Sequence, residues 1–116
     1  MARYALASKA KAAEEAYVLE VAIRKEIEKP TGELTDVDLE KVTYLNLGGN
    51  HLTEVKGLEK LTQLKELALG YNKLTSIKGL EKLTQLKELD LNDNPDLTEA
   101  QIAELQKALP KCVIDS

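Results

Sequence analysis

The chain has 116 residues, of which 43% are hydrophobic and 31% charged, as expected of one globular domain without a membrane span. Sixteen Lys and Arg against twenty Asp and Glu give a net charge of −4, so the basic excess that nucleic-acid binding requires is missing. One Cys and one His exclude an intramolecular disulfide, a zinc site and most catalytic constellations. We therefore expect a non-enzymatic, soluble chain. No signal peptide is evident, and a cytoplasmic location is favoured.

A long N-terminal helix is predicted for residues 5–29, which contain no Gly or Pro and are rich in Ala, Glu and Lys. The segment Pro30-Thr31-Gly32 that follows is typical of a helix stop. In the second half of the helix, Leu19, Ile23 and Ile27 recur at every fourth position. We expect them to cover the open apolar end of the structure that follows.

The head of this helix has its own composition, since seven of the first sixteen residues are Ala. Leu6, Ala10, Ala13 and Tyr17 follow one another by four and three along one stripe, a spacing that lets two helices approach through small side chains. We therefore predict self-association through this stripe, most simply as a homodimer. The basic start also suits a transit peptide, but its uninterrupted continuation into the helix argues against removal.

Two shorter helices are predicted by capping boxes, in which the N-cap side chain and the side chain three residues later satisfy each other's backbone amides. Thr35 with Asp38 begins a single turn. Thr98 with Gln101 begins a longer helix that runs through Ala108 and has one apolar face. Its place near the end of the chain makes it a terminal cap.

An internal repeat of 22 residues occupies the middle of the chain. The sequence KGLEKLTQLKEL occurs at 56–67 and again at 78–89, and Asn50, Asn72 and Asn94 recur at the same interval. Pairs of Leu separated by one residue predict a short strand with both Leu inward, and Leu spaced by three predict a helical or 3₁₀ return. Stacked repeats form a parallel sheet. Each Asn is expected in a buried turn, bonding backbone groups of its own and the neighbouring coil.

The pattern Leu64-x-x-Leu67-x-Leu69-x-x-Asn72-x-Leu74 resembles the leucine-rich-repeat signature. The stretch from Ala22 to Ile114 is similar to the bacterial, internalin-like class with 22-residue repeats. The resemblance implies an α/β fold, a leucine-rich-repeat solenoid with a short parallel sheet, an N-terminal helical cap and a C-terminal helix-strand cap. It also implies a non-enzymatic module whose concave sheet binds a protein partner. The predicted division is an N-terminal helix over residues 1–30 and a repeat domain over 31–116, with its cap from about residue 95.

A fourth strand is predicted at the C-terminal end. Leu109-Pro110-Lys111-Cys112-Val113-Ile114 keeps the Leu-x-x-Leu-x-Leu spacing, with Cys112 and Ile114 in place of the strand leucines. This alignment sets Cys112 beside Leu89 in the sheet. We expect Cys112 to be a small buried hydrophobe, because no His or second Cys is available to activate its thiol.

The positions that differ between repeats define the candidate binding surface. The convex segment is identical in the two clean repeats, and the differences fall mostly at outward strand positions and in the following loop. Several of the varying positions are acidic, and two are Tyr, a residue favoured at interfaces. The alternative is that they are only solvent-facing strand residues. The predicted partner-binding residues are Tyr44, Asn46, Glu66, Ala68, Tyr71, Glu88, Asp90, Asn92 and Asp93.

A metal site is poorly supported. Residues 90–96 place Asp or Asn at alternate positions, as in the first half of a calcium loop, but Pro95 stands where that loop needs Gly and Gln101 where it needs Glu. His51 has no second His or Cys with which to share a metal. No metal and no cofactor are expected.

Two functions stay open at this point. In the first, the chain is a protein-binding module whose Tyr side chains supply affinity and whose carboxylates steer association. In the second, it is an engineered or structural scaffold held together by the Ala-rich helix. Near-identical repeats, the absence of Phe and Trp and the change of composition at the head favour the second. Recent duplication, however, gives identical repeats in natural chains too.

Overall fold

The computed structural model describes residues 2–116, and their side chains from residue 13 onward. Helix α1 spans Ala2–Glu26 and the short helix α2 spans Asp36–Glu40. Four three-residue strands and a third helix follow: β1 Tyr44–Asn46, β2 Glu66–Ala68, β3 Glu88–Asp90, α3 Glu99–Ala108 and β4 Val113–Asp115. None of the helices, as far as the chain is described, combines the length and apolarity needed to cross a membrane.

The strands form one parallel sheet in the order β1-β2-β3-β4. Leu45, Leu67 and Leu89 lie side by side in consecutive strands, so each repeat contributes one strand in register with the last. Between strands, the chain returns through 3₁₀ turns at Leu58–Lys60 and Leu80–Lys82. The predicted leucine-rich-repeat solenoid with a short parallel sheet is therefore confirmed.

The core is a stack of aliphatic side chains enclosed by the coils. Strand positions alternate, with Leu67 buried between the exposed Glu66 and the half-buried Ala68, because successive residues of a strand point to opposite faces. Leu61 and Leu83 of the 3₁₀ returns are fully buried opposite the strands. Burial of such side chains is the main term that stabilises each coil.

Two buried asparagines join neighbouring coils. Asn72 donates to the carbonyls of Leu47 and Leu69, both at 3.0 Å, and its Oδ1 accepts from the amides of Asn50 and Leu52 at 3.0 and 2.9 Å. Asn94 repeats this arrangement one coil later, donating to Leu69 and Leu91 and accepting from Leu74. The prediction of buried turn asparagines is confirmed for these two.

Asn50 departs from that prediction, because its residue is exposed. Its side-chain amide bonds only to the carbonyls of Leu47 and Gly48 in its own coil. The reason is positional. Each of these asparagines reaches back to the preceding coil, and the coil that carries Asn50 is the first.

In addition to the strand ladder, neighbouring coils are joined by a second line of backbone hydrogen bonds. Side chains from α1 and α3 cap this line at the two ends of the coil stack. Within the stack, the amide of Thr75 donates to the carbonyl of Thr53 at 3.0 Å. At the first coil, Glu15 Oε1 accepts from the Thr53 amide at 2.8 Å and from its hydroxyl at 2.7 Å. At the last coil, Gln101 Nε2 donates to the Thr75 carbonyl at 3.0 Å. Both end coils thereby obtain the partner that a further coil would supply.

Helix α1 packs on the first coil and ends before the predicted stop. Ile23 is buried, and Leu19 and Ile27 are half-buried against the core, as predicted. Glu28 has a left-handed φ of 56°, and the amides of Glu28 and Lys29 donate to carbonyls of the last turn, which is a Schellman ending.

Asp38 ties the end of α1 to the start of α2. Its Oδ2 accepts from Lys29 Nζ at 2.6 Å and from the Thr35 amide at 2.9 Å, and Thr35 and Asp38 form the predicted capping box. The hydrogen bond from Lys29, followed by the bond from the Thr35 backbone, holds the pKa of Asp38 well below its ordinary value.

Strand β4 exists, but its predicted register is wrong. Leu89 pairs with Ile114 and not with Cys112. The Cys112 amide donates to the Leu109 carbonyl, as the Leu86 amide does to Leu83, so Cys112 closes a turn and takes the place of Leu86. Between this turn and the inward strand residue, the cap therefore has one residue fewer than the repeats. Gln106 fixes the turn by donating to the carbonyls of Leu109 and Cys112.

We predict that Asn72→Ala lowers the free energy of unfolding by about 2–4 kcal/mol, because it leaves buried backbone groups of two coils without partners. The matched control is Asn50→Ala, at the same repeat position but exposed. Its loss is expected to stay below about 1 kcal/mol, since water replaces the missing bonds. Denaturant melts of both variants measure the difference, and equal losses would contradict the role of the buried amide.

We further predict that Asp38→Asn weakens the fold at neutral pH and flattens the acid dependence of its stability. A lowered folded-state pKa gives stability that is present above the ordinary Asp range, about pH 4, and is lost as pH falls below it. Urea melts between pH 2 and pH 6 test this. The control Asp96→Asn, at an exposed loop position, is expected to keep the parent profile, and a parent-like slope in Asp38→Asn would contradict the prediction.

Candidate functional site

The outward face of the sheet carries two parallel rows of side chains, one residue from each strand per row. In-register pairing places them side by side. The first row is Tyr44, Glu66, Glu88 and Val113, and the second row is Asn46, Ala68, Asp90 and Asp115. Six of the nine predicted partner-binding residues lie in these rows. All row residues except Asn46 line a shallow depression of about 260 Å³.

The two rows are acidic and free of salt bridges in the described structure. Glu66 lies next to Glu88, and Asp90 next to Asp115, at the strand spacing of about 4.8 Å. The ion pairs among the described side chains all lie between Glu20 and Lys41, in α1, in α2 and in the residues that follow each of these helices. Like charges facing each other across strands are destabilising, so this face carries an electrostatic cost that no salt bridge among the described side chains offsets.

Part of the second row also shapes the turns that follow the strands. Asn46 Oδ1 accepts from the Gly48 amide at 2.9 Å, and Asp90 Oδ1 accepts from the Asn92 amide at 2.9 Å. Gly70 is buried between the coils, and a Cβ at this position would lie 3.1 Å from Asp90 Oδ2. Asn46, Asp90 and Asn92 therefore have a structural role whether or not they contact a partner.

Tyr71, Asn92 and Asp93, the three remaining predicted residues, lie in the loops just after the rows. Tyr71 and Asp93 share an unusual backbone. Their φ values are 57° and 58°, and Gly49, the equivalent residue of the first coil, has 71°. This left-handed region is costly for most residues with a Cβ. Tyr71 is nevertheless kept there with its side chain 71% exposed.

Val113 and Asp115 belong to the rows, yet sequence reasoning missed them. The wrong register of β4 set Cys112 in the strand and moved the outward positions. The sequence allowed the correct register as one of two alignments, because Leu109 and Cys112 are also spaced like Leu83 and Leu86. Val113 is 62% exposed.

The predicted self-association stripe is described only in part. The side chains of Leu6 and Ala10 lie outside the described residues. Ala13 is exposed, Tyr17 is 66% exposed, and Val21, one turn further along the stripe, is exposed as well. In this part of α1, the stripe faces solvent.

The polar residues considered for chemistry do not converge. Asn94 is buried and points to the carbonyls of Leu69 and Leu91, so the alternating Asp and Asn of residues 90–96 do not surround a common point. Across the described side chains, no three His, Cys, Asp or Glu are placed to hold a metal ion. Cys112 is buried, and burial, with a smaller contribution from Glu88, raises the pKa of its thiol.

Comparison of the sequence with protein families gives one match. Residues 62–107 fit the model described as Leucine Rich repeats (2 copies). Comparison with curated proteins gives no match.

Solved structures share the fold, among them the following three. A leucine-rich-repeat protein of Leptospira interrogans is 34% identical, with a TM-score of 0.62 over 69% of this chain and 21% of that one. An internalin of Listeria monocytogenes is 27% identical, with a TM-score of 0.60 over 84% of this chain and 35% of that one. Internalin C2 of the same species is 20% identical, with a TM-score of 0.56 over 84% and 52% of the two chains. This chain thus spans between about a fifth and half of their lengths.

Proposed function

The chain is a leucine-rich-repeat protein, and we propose that it is a non-enzymatic protein-interaction module that binds its partner on the two rows and the adjoining Tyr71 loop. Strand positions that face the core are Leu in β1, β2 and β3, and the convex segment is identical in the two clean repeats. Most of the differences between the coils fall in the rows and the loop, and the pairs Glu54/Ser76 and Val55/Ile77 also differ outside them. Variation concentrated on one face is what a binding surface on a repeated framework needs.

Tyr71 is the observation that carries this proposal. The fold favours Gly at its position, as in Gly49 of the first coil, because the backbone is left-handed there. An exposed aromatic side chain at such a position adds nothing to the core. Strain kept at an exposed residue suggests a functional use, and a rigid amphipathic Tyr is a common anchor of protein interfaces.

Selection of linear peptides from a random phage-displayed library against the immobilised full chain supplies probes for this surface. We predict that Tyr71→Gly weakens the selected peptides at least about tenfold, as expected of a binding anchor. The same change is expected to leave the free energy of unfolding unchanged or to raise it by up to about 1 kcal/mol, because it relieves the left-handed strain.

The control is Lys82→Ala, an exposed residue of the convex 3₁₀ turn, which should change neither quantity. Interferometry and denaturant melts of the three proteins give both readouts. Selected peptides that tolerate Tyr71→Gly and are lost with Lys82→Ala would move the binding surface to the convex side and contradict the proposal.

A second candidate function is self-assembly, as an engineered or structural scaffold, and the exposure of Tyr17 favours it. An aromatic side chain that is 66% exposed on a helix, with Ala13 one turn before it and Val21 one turn after, offers an apolar stripe to a second copy of α1. In this alternative, the Ala-rich head extends the contact.

We predict for this alternative that the parent protein is a dimer at tens of micromolar and that Tyr17→Glu makes it monomeric, because the substitution places a charge in the helix contact. Val37→Glu is the control, since Val37 on α2 is 63% exposed and lies outside the stripe. Light scattering over a concentration series measures the mass. A parent that stays monomeric, or a dimer that survives Tyr17→Glu, would reject the alternative.

A further inference from the structure

We propose that the occupant of the two rows is an α-helix of a partner protein that crosses all four strands. Along one stripe, this helix presents an apolar side chain, two basic side chains and a second apolar side chain, in that order. This inference rests on the proposed function and specifies the chemistry of the partner. Its basis is the order of side chains in the first row and the distance between strands.

The first row has a symmetrical chemical order. Two carboxylates, Glu66 and Glu88, stand at its centre, and Tyr44 and Val113 stand at its ends, 40% and 62% exposed. A complementary segment therefore carries two Lys or Arg in the middle and one apolar residue on each side. Charge complementarity of this kind selects partners and speeds their association.

The spacing fits a helix laid across the strands. Neighbouring strands lie about 4.8 Å apart, so the four positions of the row span about 14 Å. Helix residues at i, i+3, i+7 and i+10 share one stripe and span about 15 Å. An extended peptide repeats its same-side residues about every 6.8 Å and would need about 20 Å for four of them. The row therefore matches a helix and not a strand.

The second row leaves room for the helix backbone. Ala68 is the smallest side chain of the face and lies at its centre, next to Asn46 and Asp90 in the neighbouring strands. The depression over the sheet is lined by both rows. A helix resting over Ala68 brings its stripe onto Glu66 and Glu88, and Asp90 and Asp115 add further negative charge beside it.

Two synthetic helical peptides of identical composition test the proposal. The matched peptide carries Leu, Lys, Lys and Leu at i, i+3, i+7 and i+10, and the inverted peptide exchanges the Leu and Lys positions. Fluorescence anisotropy with the full chain measures both affinities. We expect the matched peptide to bind at least about tenfold tighter, since only its Lys residues face the two carboxylates.

Two doubly substituted proteins separate this recognition from general charge attraction. Glu66→Gln with Glu88→Gln is expected to weaken the matched peptide about tenfold. Glu33→Gln with Glu104→Gln makes the same change in net charge at exposed positions outside the rows and is expected to leave the affinity unchanged. Equal affinities of the two peptides, or equal losses in the two proteins, would overturn the proposal.

The outcome is distinguishable from failure of the proposed function. If the matched peptide does not bind while library-selected peptides still depend on Tyr71, the helix proposal falls and the binding surface stands. If selected peptides do not depend on Tyr71 but the matched peptide binds through Glu66 and Glu88, the role of Tyr71 falls and the helix proposal stands.

Discussion

The structure depends on satisfying backbone groups that the coils bury between them. A strand of three residues forms few ladder bonds, and the turn after it directs its amides and carbonyls into the interior. Asn72 and Asn94 each bond backbone groups of two successive coils, where unpaired groups would cost more than a short strand gains. These side chains fix the register of the coils, and the register in turn sets the two outward rows.

The same requirement explains both ends of the solenoid. In a stack whose coils touch only their neighbours, the first and last coils lack a partner on one side. Glu15 of α1 supplies the missing acceptor, and Gln101 of α3 supplies the missing donor. The apolar end is covered in parallel, with Ile23 of α1 packed into the core. The terminal helices thus complete both the hydrogen bonds of the end coils and the apolar packing of the core.

Much of this fold could be predicted because it repeats, whereas the exceptions could not. The Leu pairs, the buried asparagines, the 3₁₀ returns and both capping boxes follow from local patterns whose physics is the same in each coil. The contact of Glu15 with Thr53 joins residues far apart in sequence and has no periodic signal. In the C-terminal cap, the spacing of Leu109, Cys112 and Ile114 fits two alignments with the repeats. Only the hydrogen bond from the Cys112 amide to the Leu109 carbonyl decides between them. Val113 and Asp115 were lost from the predicted surface for this reason.

The equivalence of the coils has a consequence for the reach of the protein. Because Asn72 and Asn94 make corresponding contacts, an additional coil inserted between them would find both of its interfaces already prepared, and neither terminal helix would have to change. Each insertion would lengthen the sheet by one strand spacing, about 4.8 Å. A protein built in this way can match longer or shorter ligands by the number of its coils alone, in steps of one strand.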